Sequence, residues 1–285
     1  MKIIRAKVLG YCMGVRRAVE KLEKAIDSSG NKKIFTLGPL IHNPLVMQSF
    51  REKGVNILHE ENFCGIDSES VVVIRAHGTT TSVLKKLNEC GCTVIDATCP
   101  KVLLSQKRAK EWSEKGYKIF LAGDKNHGEV VSICSYAENP VVVENSLEAQ
   151  NLVIPEKSIL LAQTTFSPHE FNSICEILKE KNKDLVIFDT ICSATMERQN
   201  ALLELKDKAN GIIVIGGKNS SNTKRLYETA LTICSRVCLI EKETEIPAEF
   251  FSLETVAITA GASTPDNIIS QVENELVLGY NICSF

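Results

Sequence analysis

No apolar run in this 285-residue chain approaches the roughly 20 residues needed to cross a bilayer, so no membrane span is expected. Neither sign of charge is in excess: 33 Lys+Arg stand against 35 Asp+Glu, a formal net charge of −2. That balance argues against a protein built to hold nucleic acid or another long polyanion, and any anionic ligand should be small and held by local dipoles. The opening MKIIRAKVLGYC has too short an apolar core and no small-residue cleavage site, so it does not read as a signal peptide, and the expected location is the cytoplasm. No Pro- or Ser-rich linker interrupts the chain. The close pairs Cys90/Cys92 and Cys234/Cys238 fall in helix or strand contexts and are not expected to bind metal, and there is no flavin or nicotinamide fingerprint.

Apolar residues make up 44% of the sequence, enough for a well-buried core. Cysteine is abundant, at 11 residues. In a reducing compartment such thiols are small buried hydrophobes, metal ligands or nucleophiles, and most should be inert. Their place in the architecture has to pick out the exceptions.

The architecture is visible as a repeat. Cys12, Cys99 and Cys192 each precede a helical segment and lie 87 and 93 residues apart. Each helix leads to a short apolar strand ending in glycine and a polar loop: KIFTLGPLIHN at 33–43, KIFLAGDKNHGE at 118–129 and GIIVIGGKNSSN at 211–222. Gly38, Gly123 and Gly216 are 85 and 93 apart, and Ala76, Ala162 and Ala260 at the ends of later strands are 86 and 98 apart. Strands alternating with helices on this pattern predict βαβ units and parallel sheets. The expected division is 13–98, 99–191, and 192–285 together with 1–12. The N-terminal strand KIIRAKVL completes the third copy, which leaves Cys283 without a role. The helix after Cys99 should run from Pro100 to near Gly116, and the one after Cys192 across SATMERQNALLELKDKANG.

In open α/β sheets ligands collect beyond the carboxyl ends of the strands, where helix N-termini point and favour thiolates. A threefold arrangement would direct Cys12, Cys99 and Cys192 to one centre. Three singletons so far apart fit structural zinc poorly. A cubane iron–sulfur cluster held by three thiolates would keep one iron free to act on a substrate as a Lewis acid. Strand ends and loops at the same edge supply His42, His77, His127, Glu129, Gln163, Thr164, Thr195, Ser220, Ser221, Asn222 and Ser263. His42 and His127 fall at equivalent positions, with Ser220 third. Each has a plainer reading: NSSN suits a helix cap, and Glu129 an ordinary first-turn acid. Together, neutral donors and helix dipoles suit phosphate oxygens.

The motifs GYCMGVRRAV, GPLIHN, RAHGT, DATCP, HGE, QTT, TIC-x-AT-x-x-RQ, GGKNSSN and TAGAS resemble the IspH (LytB) family of 4-hydroxy-3-methylbut-2-enyl diphosphate reductases, from residue 10 to about 268. The resemblance implies a trefoil of three α/β domains around a [4Fe-4S] cluster held by Cys12, Cys99 and Cys192, with the unique iron binding the substrate's allylic hydroxyl. It implies that His42, His77, His127, Ser220, Ser221, Asn222 and Ser263 hold the diphosphate, with Gln163 and Thr164 nearby. Thr195 and Glu129 would flank the hydroxyl, Glu129 as proton source.

The implied reaction is the last step of the non-mevalonate (MEP) isoprenoid pathway: two-electron reductive dehydroxylation to isopentenyl and dimethylallyl diphosphate. Ferredoxin or flavodoxin would be the donor and the protein a monomer. An iron–sulfur hydro-lyase and a non-catalytic iron–sulfur sensor are the alternatives. Two stretches depart from the family pattern: Gly128 where many relatives have proline, and VVSICSYA at 130–137.

Overall fold

A computed structural model describes residues 1–283 of the chain, with side chains through 281. The last two residues of the expected third domain, and the Cys283 side chain, lie outside what is described. In chain order the elements are β1 (Lys2–Arg5), α1 (Met13–Ser28), β2 (Lys33–Leu37), α2 (Pro44–Glu52), β3 (Asn56–Leu58), β4 (Ser70–Ile74), α3 (Thr81–Glu89) and β5 (Thr93–Asp96). Next are α4 (Pro100–Glu114), β6 (Lys118–Ala122), α5 (Gly128–Cys134), β7 (Val141–Val143), α6 (Ser146–Gln150), β8 (Ser158–Ala162), α7 (Pro168–Lys181) and β9 (Val186–Ile187). The chain finishes with α8 (Ser193–Leu203), β10 (Gly211–Ile215), α9 (Ser221–Ile233), β11 (Val237–Ile240), β12 (Thr255–Ala260) and α10 (Asp266–Cys283).

The strands form three four-stranded, wholly parallel sheets, in the orders β3-β2-β4-β5, β7-β6-β8-β9 and β11-β10-β12-β1. Each has the same plan: the second strand of the module flanks the first, then come the third and fourth. In the last sheet the fourth place is taken by β1, paired with β12 from Lys2↔Thr255 to Arg5↔Ile258. By compactness the chain forms two units. One holds residues 1–16, 41–49 and 193–283, and the other holds 17–40 and 50–192.

Parallel strands buried on both faces read as continuous apolar runs, and the alternation of side chains assigns each residue to a face. In the second module Phe120, Ala122, Leu160 and Ala162 pack with Phe171, Ile174 and Leu178 of α7. Their neighbours Ile119, Leu121, Ile159 and Leu161 face Val102 and Ala109 of α4 and Val130 and Ile133 of α5. The third module repeats this: Ile213, Ile215 and Ile258 lie against Ile269, Val272 and Leu276 of α10, while Ile212, Val214 and Ala257 face α8 and α9.

Helix boundaries follow the capping signals closely in one case and not in another. Pro100 opens α4, and Gly116, with φ of +78°, follows its end. Helix α8 stops at Leu203, well short of the segment expected to be helical. Turns follow, with Asp207 in the left-handed region at φ +59°, and they fold Leu205 into the core beside β10. Tertiary burial of that leucine overrides the helical propensity of LELKDK.

Candidate functional site

All three repeat cysteines sit at the carboxyl edge of a sheet, held in the same way. The Cys99 amide donates to Ala76 O at 2.9 Å, Cys192 to Thr164 O at 2.8 Å and Cys12 to Ala262 O at 3.1 Å. Each acceptor lies two residues beyond the end of the third strand of its module, β4, β8 or β12. Cys12 O and Cys99 O accept from Arg16 N–H and Leu103 N–H, so both cysteines occupy the N-cap of the following helix. Cys12 Sγ also lies 3.5 Å from the Val15 amide, the place a serine hydroxyl takes in an ordinary cap. All three are half-buried. Three cysteines at equivalent helix starts are donors that fit metal ligation, and thiolate-bound iron–sulfur in particular.

Gly38, Gly123 and Gly216 close the first strands with a second shared bond: their amides donate to Leu58 O, Val143 O and Ile240 O, the last residues of the neighbouring strands. The loops that follow carry the candidate polar groups.

In the larger unit, His127 caps α5, its Nδ1 accepting from the Glu129 amide at 3.2 Å. His77 and His127 meet edge to face with ring centroids 5.2 Å apart. Glu129 is 1% exposed. Thr164 grips both its oxygens, the amide donating to Oε1 at 2.6 Å and the hydroxyl to Oε2 at 2.7 Å. Burial, with a smaller push from the Asp124 carboxylate, outweighs the two bonds from Thr164 and raises the Glu129 carboxyl to about 7. Gln163 is fully buried; its Oε1 accepts from the Asp124 amide at 2.9 Å and its Nε2 donates to Thr165 Oγ1 at 2.9 Å. Gln163 therefore holds the 124–127 loop in place rather than pointing a free amide outward.

The other unit holds the third module's loops together with residues 41–49. Ser220 caps α9 and accepts from Thr223 N–H, Ser221 is half-buried in the first turn, and Asn222 is 5% exposed. Among the described residues, Asn222 Nδ2 is a buried donor with no hydrogen-bond partner. Ser263 Oγ donates to His42 O at 3.3 Å. Gly217 lies so close to His42 that a side chain there would meet its carbonyl oxygen at 2.1 Å, so only glycine fits. Thr195 is buried on α8.

The equivalence of His42 with His127 is off by one residue. The cap of α2 is Asn43, whose Oδ1 accepts from the Leu45 and Val46 amides at 3.1 and 3.2 Å. Its Nδ2 donates to Ser263 O at 3.0 Å. Asn43 was absent from the expected set, though Asn followed by Pro44 is a cap signal. Thr165 and Asp124 were missed too. Their parts depend on Gln163, some 40 residues away from Asp124 in the chain, and no local pattern announces them.

The family described as "LytB protein" matches residues 3–277. The 4-hydroxy-3-methylbut-2-enyl diphosphate reductase of Treponema denticola is 46% identical over 290 residues, covering 98% of this chain and 100% of that protein. The protein of the same name from Thermoanaerobacter sp. is 40% identical, covering 95% of each. Two solved structures superpose on the fold. One, titled as (E)-4-hydroxy-3-methyl-but-2-enyl diphosphate reductase, the terminal enzyme of the non-mevalonate pathway, is 34% identical with a TM-score of 0.74 and covers 98% of this chain and 100% of that one. The other, an E-1-hydroxy-2-methyl-but-2-enyl-4-diphosphate reductase from Plasmodium falciparum, is 26% identical with a TM-score of 0.89 and covers 96% and 87%. With the repeated α/β modules and a family match over nearly its whole length, the chain belongs to the LytB family.

Proposed function

We propose that this protein reduces 4-hydroxy-3-methylbut-2-enyl diphosphate to isopentenyl and dimethylallyl diphosphate. Two electrons and two protons enter; the allylic C–O bond breaks, a C–H bond forms, and water leaves. The observation that carries the reading is the identical seating of Cys12, Cys99 and Cys192, three half-buried cysteines at helix starts with amides tied to equivalent carbonyls. They are assigned to one [4Fe-4S] cluster with its unique iron open to substrate. When bound, the cluster would supply the electrons and a Lewis-acidic iron for the hydroxyl.

The chain's own groups do the rest. Glu129 holds a proton near neutral pH and delivers it from a carboxyl oxygen to the departing hydroxyl. Thr164 fixes the direction of that carboxyl through its amide and hydroxyl, and Thr195 is assigned to the same hydroxyl. His42, His77, His127, Ser220, Ser221, Asn222 and Ser263 are assigned to the diphosphate, with Gln163 shaping the loop behind His127. The unpartnered Asn222 Nδ2 supports this, since a buried donor left unpaired costs about 1–3 kcal/mol and an anionic oxygen would satisfy it. An external ferredoxin or flavodoxin supplies the electrons, the chain acts as a monomer, and its three domains are 13–98, 99–191, and 192–285 with 1–12.

The test is anaerobic reconstitution followed by an iron count and turnover with a reduced dye. Two electrons consumed per product, with the iron lost in Cys99→Ser and kept in Cys283→Ser, is the expected result. Product formed without electron consumption would make the protein a hydro-lyase. A cluster that binds while Glu129→Gln alters nothing would make it a sensor.

A further inference from the structure

Helix α5 starts beside a largely buried cation. Arg75, the residue after β4, extends its guanidinium between loops of two modules within one unit. A methyl group added at Gly38 would stand 2.7 Å from Arg75 Nη1, and one added at Gly128 would stand 3.0 Å from Nη2. Two glycines, one after β2 and one at the first position of α5, thus leave their side-chain volume to the same planar group. Glu60, which follows β3, accepts from Nη2 at 2.9 Å. Arg75 Nε is buried with no partner among the described residues. Glu60 answers the charge, while the cation opposes the dipole at the start of α5 and the unpaired Nε is unfavourable, so charge pairing alone does not account for the guanidinium. What the rigid fork provides is a wedge of fixed shape.

Further along the same two segments, serines make a second attachment. Ser132 Oγ donates to Thr79 O at 2.8 Å and accepts from Gln106 Nε2 at 2.7 Å. Ser135 Oγ accepts from the Thr81 amide at 3.1 Å, and Ser135 O accepts from the Thr81 hydroxyl at 3.2 Å. Segment 75–81, which carries His77, is therefore fastened at both ends to α5 and its caps, which carry Glu129 and His127: Arg75 on Gly128, Thr79 and Thr81 on the serines.

We propose that Arg75 is a positioning residue for the reaction, a wedge against Gly38 and Gly128 that fixes the first turn of α5 so that Glu129 and His77 meet the substrate as one body. The proposal rests on the reading of Glu129 as proton donor. Arg75 acts through the backbone of Gly128 and touches no reacting atom.

Arg75→Met removes the fork, and Gly128→Ala displaces it by the added methyl group. In the cluster-loaded protein each is expected to lower kcat about tenfold while KM moves less than about threefold, and the double variant should be no slower than the slower single. Arg75→Lys keeps the charge without the fork and should behave as Arg75→Met. Amide hydrogen exchange, measured without substrate, should quicken at Glu129–Ser132 in all of these and stay unchanged in β10. Losses that multiply in the double variant, full recovery with lysine, or wild-type exchange in the singles would overturn the proposal. A loaded wild-type protein that reduces no substrate would instead overturn the functional reading, and the exchange data would then decide for or against the Arg75 contact on their own.

Discussion

A carboxyl that titrates near 7 inside the protein and near 4.5 outside it links catalysis to stability at Glu129. Between those values the folded chain holds a proton that the unfolded chain has released, so stability falls as pH rises through this window. At one pKa unit per 1.36 kcal/mol the full effect is about 3 kcal/mol. Glu129→Gln should abolish turnover by at least about a hundredfold yet unfold at higher urea than the wild type above pH 7, the difference vanishing toward pH 4. Denaturation curves at several pH values check the second half; equal pH slopes would show that Glu129 is not the group responsible. Glu129 was legible in the sequence through its motif, but its grip by Thr164 was not. That contact joins residues 35 apart in the chain, and it exists only because β6 and β8 are adjacent in one sheet.

Strand β9 spans only Val186–Ile187, although VIFDTIC reads as a longer strand. A side chain takes over where the ladder stops: Thr190 Oγ1 accepts from the Ala162 amide at 2.7 Å and donates to Ala162 O at 2.5 Å. Two residues later Cys192 is anchored on Thr164. Thr190→Val keeps the shape but strands a buried N–H and C=O, so it should cost about 2 kcal/mol in urea unfolding. Loss of bound iron should accompany it in the reconstituted protein. Unchanged stability would mean that water or a shifted strand replaces the hydroxyl. Element positions were readable because apolar runs and caps are local signals. The short β9 and the early end of α8 were not, because a threonine hydroxyl and a buried Leu205 decide them from outside the segment.

At the scale of the chain, the third sheet is assembled from both ends. Ile3 and Ile4 are half-buried, Ala6 is buried, and Arg5 pairs with Glu273 of α10. Removing residues 1–6 should lower stability by about 3 kcal/mol through lost burial alone and expose β12 as a bare edge. A thermal melt of the truncated protein equal to that of the whole chain would show that the strand is dispensable. This pairing was legible in the spacing of the cysteines, since a strand before Cys12 needs a sheet and only the third copy lacks its fourth strand. How residues 41–49 come to join the third module's unit was not, because the repeat assigns them to the first copy and the bonds of Asn43 and Ser263 reassign them.

Strand β1 is thus made long before β12, the strand it pairs with. Until β12 has been synthesised, KIIR has no partner in its own sheet, while the first two modules already have all their strands. The nascent chain carries β1 unpaired, an exposed apolar strand, while the first two modules are made. Lys2 and Arg5 at its two ends and Lys7 just beyond it are the kind of charges that keep such a strand from pairing with the wrong neighbour.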